Sequence, residues 1–265
     1  LQTIAPRVAT WLNQDTTLPK FHPSSSLYAD GMGWMVQPSY LAEYHITISA
    51  EHLHLCLQTL LGKEAVLYPT AQITMGRTAY TSALNAVWLL YPSNRCERRR
   101  RAWLLKDKEI QEQRSALRDL HGTSIEPKLL TEAHATLDKK QEELDRANKE
   151  YDLGLDRSKR DDRFNQTRAI REATNQVYDG QTDEDVRVAV TNLWRTSSAV
   201  AHGFYHHALS RMTNLDGGEE LPSVGELGLL QPKLDQDLGP LLCASYMFLE
   251  RAITRYRLRA VAAHS

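Results

Sequence analysis

Residues Thr182–Met212 read TDEDVRVAVTNLWRTSSAVAHGFYHHALSRM, and the reading of the fold starts from them. Thr182 can cap the N–H groups of a first helical turn, and Asp183, Glu184 and Asp185 place negative charge at the positive end of the helix dipole. At about 100° per residue, Val186, Val190, Leu193, Val200, Phe204 and Ala208 share one side, the expected core face. Arg195, His202 and His206 fall opposite, with Thr191, Ala199 and Leu209 around them. Arg195 and His202 are two turns apart and stack along one line. An ordinary solvent face would carry Lys and Glu there. Either the face is polar by chance, or it meets something.

Outward from that stretch the pattern stays helical. A Gly/Pro-marked loop, Thr213–Gln236, leads to a last helix near Leu238–Ala262, apolar in its first half and arginine-rich in its second. Before the stretch, Arg160–Tyr178 reads as a helix with a sparse apolar face (Phe164, Ile170, Ala173, Val177). Between Trp103 and Leu155, apolar residues recur at heptad spacing (Trp103, Ile110, Leu117; Leu130, Leu137, Leu144, Tyr151) around a turn at His121–Ser124. Two long antiparallel helices with a thin seam are predicted, a contact arm in place of a core.

Pro69–Tyr91 is apolar around most of its circumference, as a buried helix is. Its narrow polar stripe, Arg77, Thr81 and Asn85, needs partners. Arg77 either pairs with a carboxylate or lines the same site as Arg195 and His202. The dense basic run Arg95, Arg98, Arg99, Arg100, Arg101 is either a helix face matched by acids such as Glu97, or a phosphate-binding surface. Ser39–Gly62 reads as one helix or two, Leu1–Asn13 as a short helix, and Gln14–Ser39 as a loop wrapping the core. No stretch alternates with period two, so the fold class is all-α. The predicted architecture is a helical bundle (1–102 and 160–265) with an inserted long antiparallel helical hairpin (103–159).

The 265 residues are 42% hydrophobic and 25% charged, which excludes a disordered chain and suits a globular one. A net charge of -1 gives no global attraction to nucleic acid, so any such contact needs a local basic patch. Cys56, Cys96 and Cys243 are far apart with no CxxC, which fits reduced thiols in a cytoplasmic protein. No apolar run reaches the roughly 18 residues of a membrane span. The first residue is Leu1, so a trimmed N-terminus is expected.

No phosphate loop, HExxH or GxSxG occurs. His45, His52 and His54 do not share a helix face, and His202 with His206 lacks a third ligand, so neither a metal nor another cofactor is expected. Arg195 with His202 suits metal-free RNA cleavage. The ribose 2'-hydroxyl would attack the neighbouring phosphate while His202 moves protons and Arg195 holds the phosphoryl oxygens. One such pair is sparse, and a two-fold dimer would bring two together.

Arg195-Thr-Ser-Ser-Ala-Val-Ala-His202, late in an all-helical chain, resembles the motif of the HEPN (higher eukaryotes and prokaryotes nucleotide-binding) superfamily. The segment GRTAYTSALNAVWLL followed by an arginine run is similar to uncharacterised bacterial relatives of that group. The resemblance spans Ser49–Leu105 and Arg160–Ala262 and leaves the hairpin as an insertion. Thr196 stands where active members often carry Asn, Asp or His. The resemblance implies a homodimeric, metal-independent ribonuclease of a toxin–antitoxin or antiphage system. Arg195 and His202 would be catalytic, and Thr196, Ser198, His206, Arg77, Arg98 and Arg99 would bind RNA. The alternative is a non-catalytic helical module for a protein or nucleotide, with the hairpin as the arm for an antitoxin or other protein.

Overall fold

The computed structural model describes residues 1–13, 17–31, 33, 36–65, 68–178, 184–203 and 238–261. Its ordered elements there are all helical: α1 (Ala5–Trp11), α2 (Ser26–Ala29), α3 (Pro38–Leu61), α4 (Pro69–Leu90), α5 (Arg95–Asp119), α6 (Pro127–Glu150), α7 (Gln166–Val177), α8 (Glu184–Ala201) and α9 (Gly239–Ala260), with one 3-10 turn at Arg160–Asp162. The chain is all-α, and its helices pack as a bundle. No described helix is long and apolar enough to cross a membrane.

The bundle is built around α4. Ala79, Tyr80, Ala83, Leu84, Ala86, Val87, Trp88, Leu89 and Leu90 are all buried, so the helix has no solvent side over its last three turns. Each large side chain among them contributes roughly 1.5–3 kcal/mol on leaving water. The helices α3 and α9 cover α4 most extensively, and α7 and α8 close the remaining side. Close approach of α9 depends on Gly76. A Cβ there would stand 3.0 Å from Leu241 Cδ2 and 3.3 Å from Leu242 Cδ2. Ser245 Oγ donates to the carbonyls of Leu241 (2.7 Å) and Gly76 (3.3 Å) across the same contact.

Ser39–Gly62 is one helix, α3, with Pro38 in its first turn. The loop before it does wrap the core, with Leu27 and Val36 fully buried. The predicted helix from Arg160 begins six residues later, because Asn165 Oδ1 accepts from the Arg168 N–H (2.9 Å) and caps α7 there. The α8 stretch also departs from its reading. Its contact with the core begins at Val190, whose carbonyl accepts from Tyr80 Oη (3.0 Å), and Val186 is exposed. The helix ends at Ala201: the His202 N–H bonds Ser198 O, and Gly203 takes φ +70, a left-handed stop that glycine adopts without strain. Thr182, Asp183, Phe204, His206, Ala208 and Leu209 lie outside the described residues.

The hairpin is formed by α5 and α6, and its root belongs to the core. Trp103 is fully buried, donates from Nε1 to Leu144 O (2.8 Å), and carries the Arg157 guanidinium 4.7 Å over its ring. Arg157 in turn bonds Asp107 and Asp145, each at 2.5 Å. Farther out the seam thins to Leu130 and Leu137, with Arg114–Asp138 (2.6 Å) and Gln111–Gln141 (3.1 Å) bridging the two helices. All three cysteines are free, and burial pushes the Cys56 thiol up to about 12.

Gly76→Leu should lower stability by about 1–3 kcal/mol through overpacking against Leu241 and Leu242, read as a lower urea midpoint. Gly76→Ala should be near neutral, since the helix propensity gained offsets the milder contact. Equal midpoints for wild type and Gly76→Leu would show that α9 does not seat on this glycine.

Candidate functional site

Two places come forward, one on α8 and one at the hairpin root. On α8, Arg195, Thr196 and His202 are exposed, and Ser198 is half-buried. Ala199, expected beside them, is buried, so the open face is narrower than the wheel implied. Thr196 Oγ1 donates to Asn192 O (2.8 Å), which leaves its lone pairs for a ligand. Arg195 lies in a cleft of about 390 Å³ between α7 and α8, lined also by Arg171, Asn175, Glu184, Arg187, Val188, Thr191 and Asn192. Three arginines and one glutamate line it, and Glu184 pairs with Arg187. Arg171 and Arg195 have no carboxylate within ion-pair distance among the described residues. Arg187, Thr191 and Arg195 sit at spacing four on α8, a line legible in the sequence; Arg171 joins them only through packing.

The arginine run does different work. Asp30 is fully buried and takes a two-pronged bond from Arg98, Nε to Oδ2 at 2.5 Å and Nη2 to Oδ1 at 2.6 Å. Arg98 Nη1 donates to the carbonyls of Pro92 (2.7 Å) and Ser93 (2.8 Å). Arg99 reaches back to the Asp30 and Ala29 carbonyls and stacks 4.4 Å over Tyr151. Arg101 donates to Trp88 O (2.5 Å), Glu97 and Glu172. From α9, Arg259 donates to the carbonyls of Leu90, Tyr91 and Pro92. Burial, then the adjacent Arg98 charge, pulls Arg259 down to about 10, so it stays cationic at neutral pH. These cations cap the buried C-terminus of α4, where carbonyls lack helical partners and the dipole is negative. Arg98 and Arg99, expected on an RNA-binding surface, are committed to this cap and to the α2 loop.

Arg77 is likewise apart from Arg195: it does not line the α8 cleft. No described carboxylate pairs with it, its Nε is sealed without an acceptor, and burial lowers its pKa. Thr81 Oγ1, one turn on, is also sealed and unbonded, while Asn85 Oδ1 accepts from Gln166 Nε2 (3.0 Å). His206 lies outside the described residues.

The second place is a cleft of about 790 Å³ where α3, α4, α5, α6 and the start of α7 meet. His45 lines it, with Nδ1 buried and without a bonding partner. Burial lowers His45 to about 4, opposed weakly by the Glu109 charge. No group of three or more metal-ligating side chains occurs among the described residues.

No protein-family model, curated protein or solved structure matches this chain.

Arg98→Met should cost about 3–5 kcal/mol, because it strands the buried Asp30 carboxylate. A urea midpoint equal to wild type would return Arg98 to the surface. For His45, the folded chain refuses the proton down to about pH 4, whereas the unfolded chain accepts it near 6.5. The unfolded state therefore binds more protons in that window, and stability should fall as pH drops from 6.5 toward 4. The charged groups that line the cleft with His45 are Glu109, Lys106, Lys108 and Lys140, and Tyr44 meets its ring edge-on. His45→Gln should flatten the slope by up to about 2–3 kcal/mol; parallel profiles would overturn the assignment.

Proposed function

We propose that the chain is a metal-independent endoribonuclease of HEPN type, of the toxin or antiphage-defence kind, acting as a homodimer. The observation that carries this reading is the arginine-lined cleft at Arg195, seven residues before the exposed His202 that follows the end of α8. Such a groove can track the phosphates of a single strand, with Arg171 and Arg187 placing the backbone and Arg195 at the reacting phosphate. A neutral His202 would take the proton of the ribose 2'-hydroxyl as that oxygen attacks phosphorus. Arg195 would hold the non-bridging oxygens as negative charge gathers on them. The departing 5'-oxygen needs a proton, which a protonated His202 of a second copy can give. The products are a 2',3'-cyclic phosphate and a free 5'-hydroxyl, and no metal enters.

A second reading has its own support: the larger cleft at the hairpin root fits a non-catalytic helical module that binds a protein or nucleotide.

The test is cleavage of mixed RNA in EDTA by the purified dimer. His202→Ala and Arg195→Ala should each lower the rate by about 10²-fold or more. Lys139→Ala, on the exposed side of the hairpin, should leave it unchanged. The Arg171→Ala/Arg187→Ala double variant should raise KM and shallow the salt dependence of binding by about 0.7 per lost phosphate contact. A folded, dimeric wild type that cleaves no RNA without metal would overturn the proposal in favour of the second reading.

A further inference from the structure

The cleft at the hairpin root holds a combination of groups that the α8 site does not use. Its walls are mostly apolar: Leu41 from α3, Leu105 and Ile110 from α5, and Phe164 from the segment before α7. At its mouth stand Tyr40 and Tyr44, 58% and 62% exposed, on adjacent turns of α3. Two large aromatic side chains left in water beside a cleft of this volume mark a place that gains from being covered. The amides of Asn85 and Gln166, already bonded to each other, line the same space and keep one carbonyl and their remaining N–H donors for a ligand.

The charges decide the class of ligand. Lys106, Lys108, Lys140 and Glu109 line the cleft. Lys106 is matched by Glu109 at 2.7 Å, and Lys108 by Glu112. Glu109 also accepts from Gln113, so its second oxygen is engaged. Lys140 is left as the one lining cation with no carboxylate within ion-pair distance among the described residues. A triphosphate would demand several such cations, or an arginine fork, and neither is here. His45 adds a neutral ring near pH 7, not a charge.

We propose that this cleft is a binding site for a small aromatic monoanion, with a planar body between Tyr40, Tyr44 and Phe164 and a single carboxylate at Lys140. The site is separate from Arg195 and His202, and its proposal stands whether or not the chain cleaves RNA. A ligand seated there touches the bundle through α3 and α4 and the hairpin through α5 and α6, so it ties the root of the arm to the body.

The test uses 2-naphthoate and its uncharged isostere 2-naphthamide as probes, with binding to the full chain followed by calorimetry and by thermal shift. Wild type should bind 2-naphthoate saturably at one site per chain and rise in Tm, with the amide about tenfold weaker, as one charge-assisted bond implies. Lys140→Met should weaken naphthoate about tenfold and leave the amide unchanged. Gln113→Trp, which fills the cleft from a half-exposed position, should abolish both while melting as wild type does without ligand. Absence of saturable binding, equal affinity for acid and amide, or wild-type binding by a folded Gln113→Trp variant would each overturn the proposal. Naphthoate affinity retained in Lys140→Met would do the same.

Discussion

A helix with no solvent side must be surrounded, and that constraint on α4 organises the molecule. Its burial recruits α3 and α9 as flanking walls and α7 and α8 as the closing face, so its chain neighbour and three sequence-distant helices are held by one. The same burial creates a polar problem. The last carbonyls of any helix lack intrahelical donors, and here they end inside the protein. Cations serve them and the turn that follows: Arg101 at Trp88 O, Arg259 at Leu90, Tyr91 and Pro92, and Arg98 at Pro92 and Ser93. Arginine suits this because its planar fork reaches several carbonyls at once and stays charged when partly desolvated. Asp30 and Glu172 then return the charge balance, and that fixes the α2 loop and α7 in place.

The hairpin follows from the same cap. Because α5 must start beside the end of α4 to deliver Arg98 and Arg101, its direction is set at its first turn. Its continuation beyond Ile110 leaves the core and needs α6 for cover. Trp103 and the Asp107–Arg157–Asp145 set lock the root, while the outer half relies on a thin seam of leucines and polar bridges. Stability should therefore fall off along the arm, strongest at Trp103 and weakest near the turn at His121.

How much of this was legible depends on the kind of signal. The buried helix α4 read closest because its pattern and its final environment coincide; α3 was legible only as one helix or two, and the α5–α6 hairpin as two antiparallel helices whose start at Arg95 and whose core root were not. The start of α7 was misplaced because Asn165 outcompetes Arg160 as a cap, a choice among neighbours that periodicity does not resolve. The arginine run was ambiguous in sequence for a physical reason. Clustered guanidiniums suit RNA phosphates and buried carbonyls equally, and only the position of Asp30, 68 residues earlier, tells them apart. Arg77, Thr81 and Asn85 were read as a stripe in need of partners, and among the described residues Asn85 alone has a bonded one. The cleft at the hairpin root had no sequence signature, since its walls come from five separate elements and each lining residue is ordinary in its own helix.

The distribution of cations that remains is informative. Arg98, Arg101 and Arg259 are consumed by the α4 cap, Arg99 by the carbonyls at the end of α2, Arg100 by Glu97 and Asp162, and Arg157 by the hairpin root. Arg171 and Arg195 on the α7–α8 face, and Lys140 at the root of the arm, have no carboxylate within ion-pair distance among the described residues. Holding a desolvated cation costs several kcal/mol unless partners are provided, so a fold places its spare ones at the rim, where water serves until a ligand displaces it. The two rims differ in what they can accept. An open groove with repeated arginines at helical spacing matches an extended polyanion, because each phosphate meets a cation in turn. A cleft with apolar walls and one unmatched lysine among the described residues matches a compact molecule carrying one charge. Under the two proposals the groove takes a polymer and the cleft a small molecule, and α7 borders both: Arg171 and Asn175 on the groove, Gln166 in the cleft. Gln166 and Arg171 lie five residues apart on that one helix, so the two clefts share a wall.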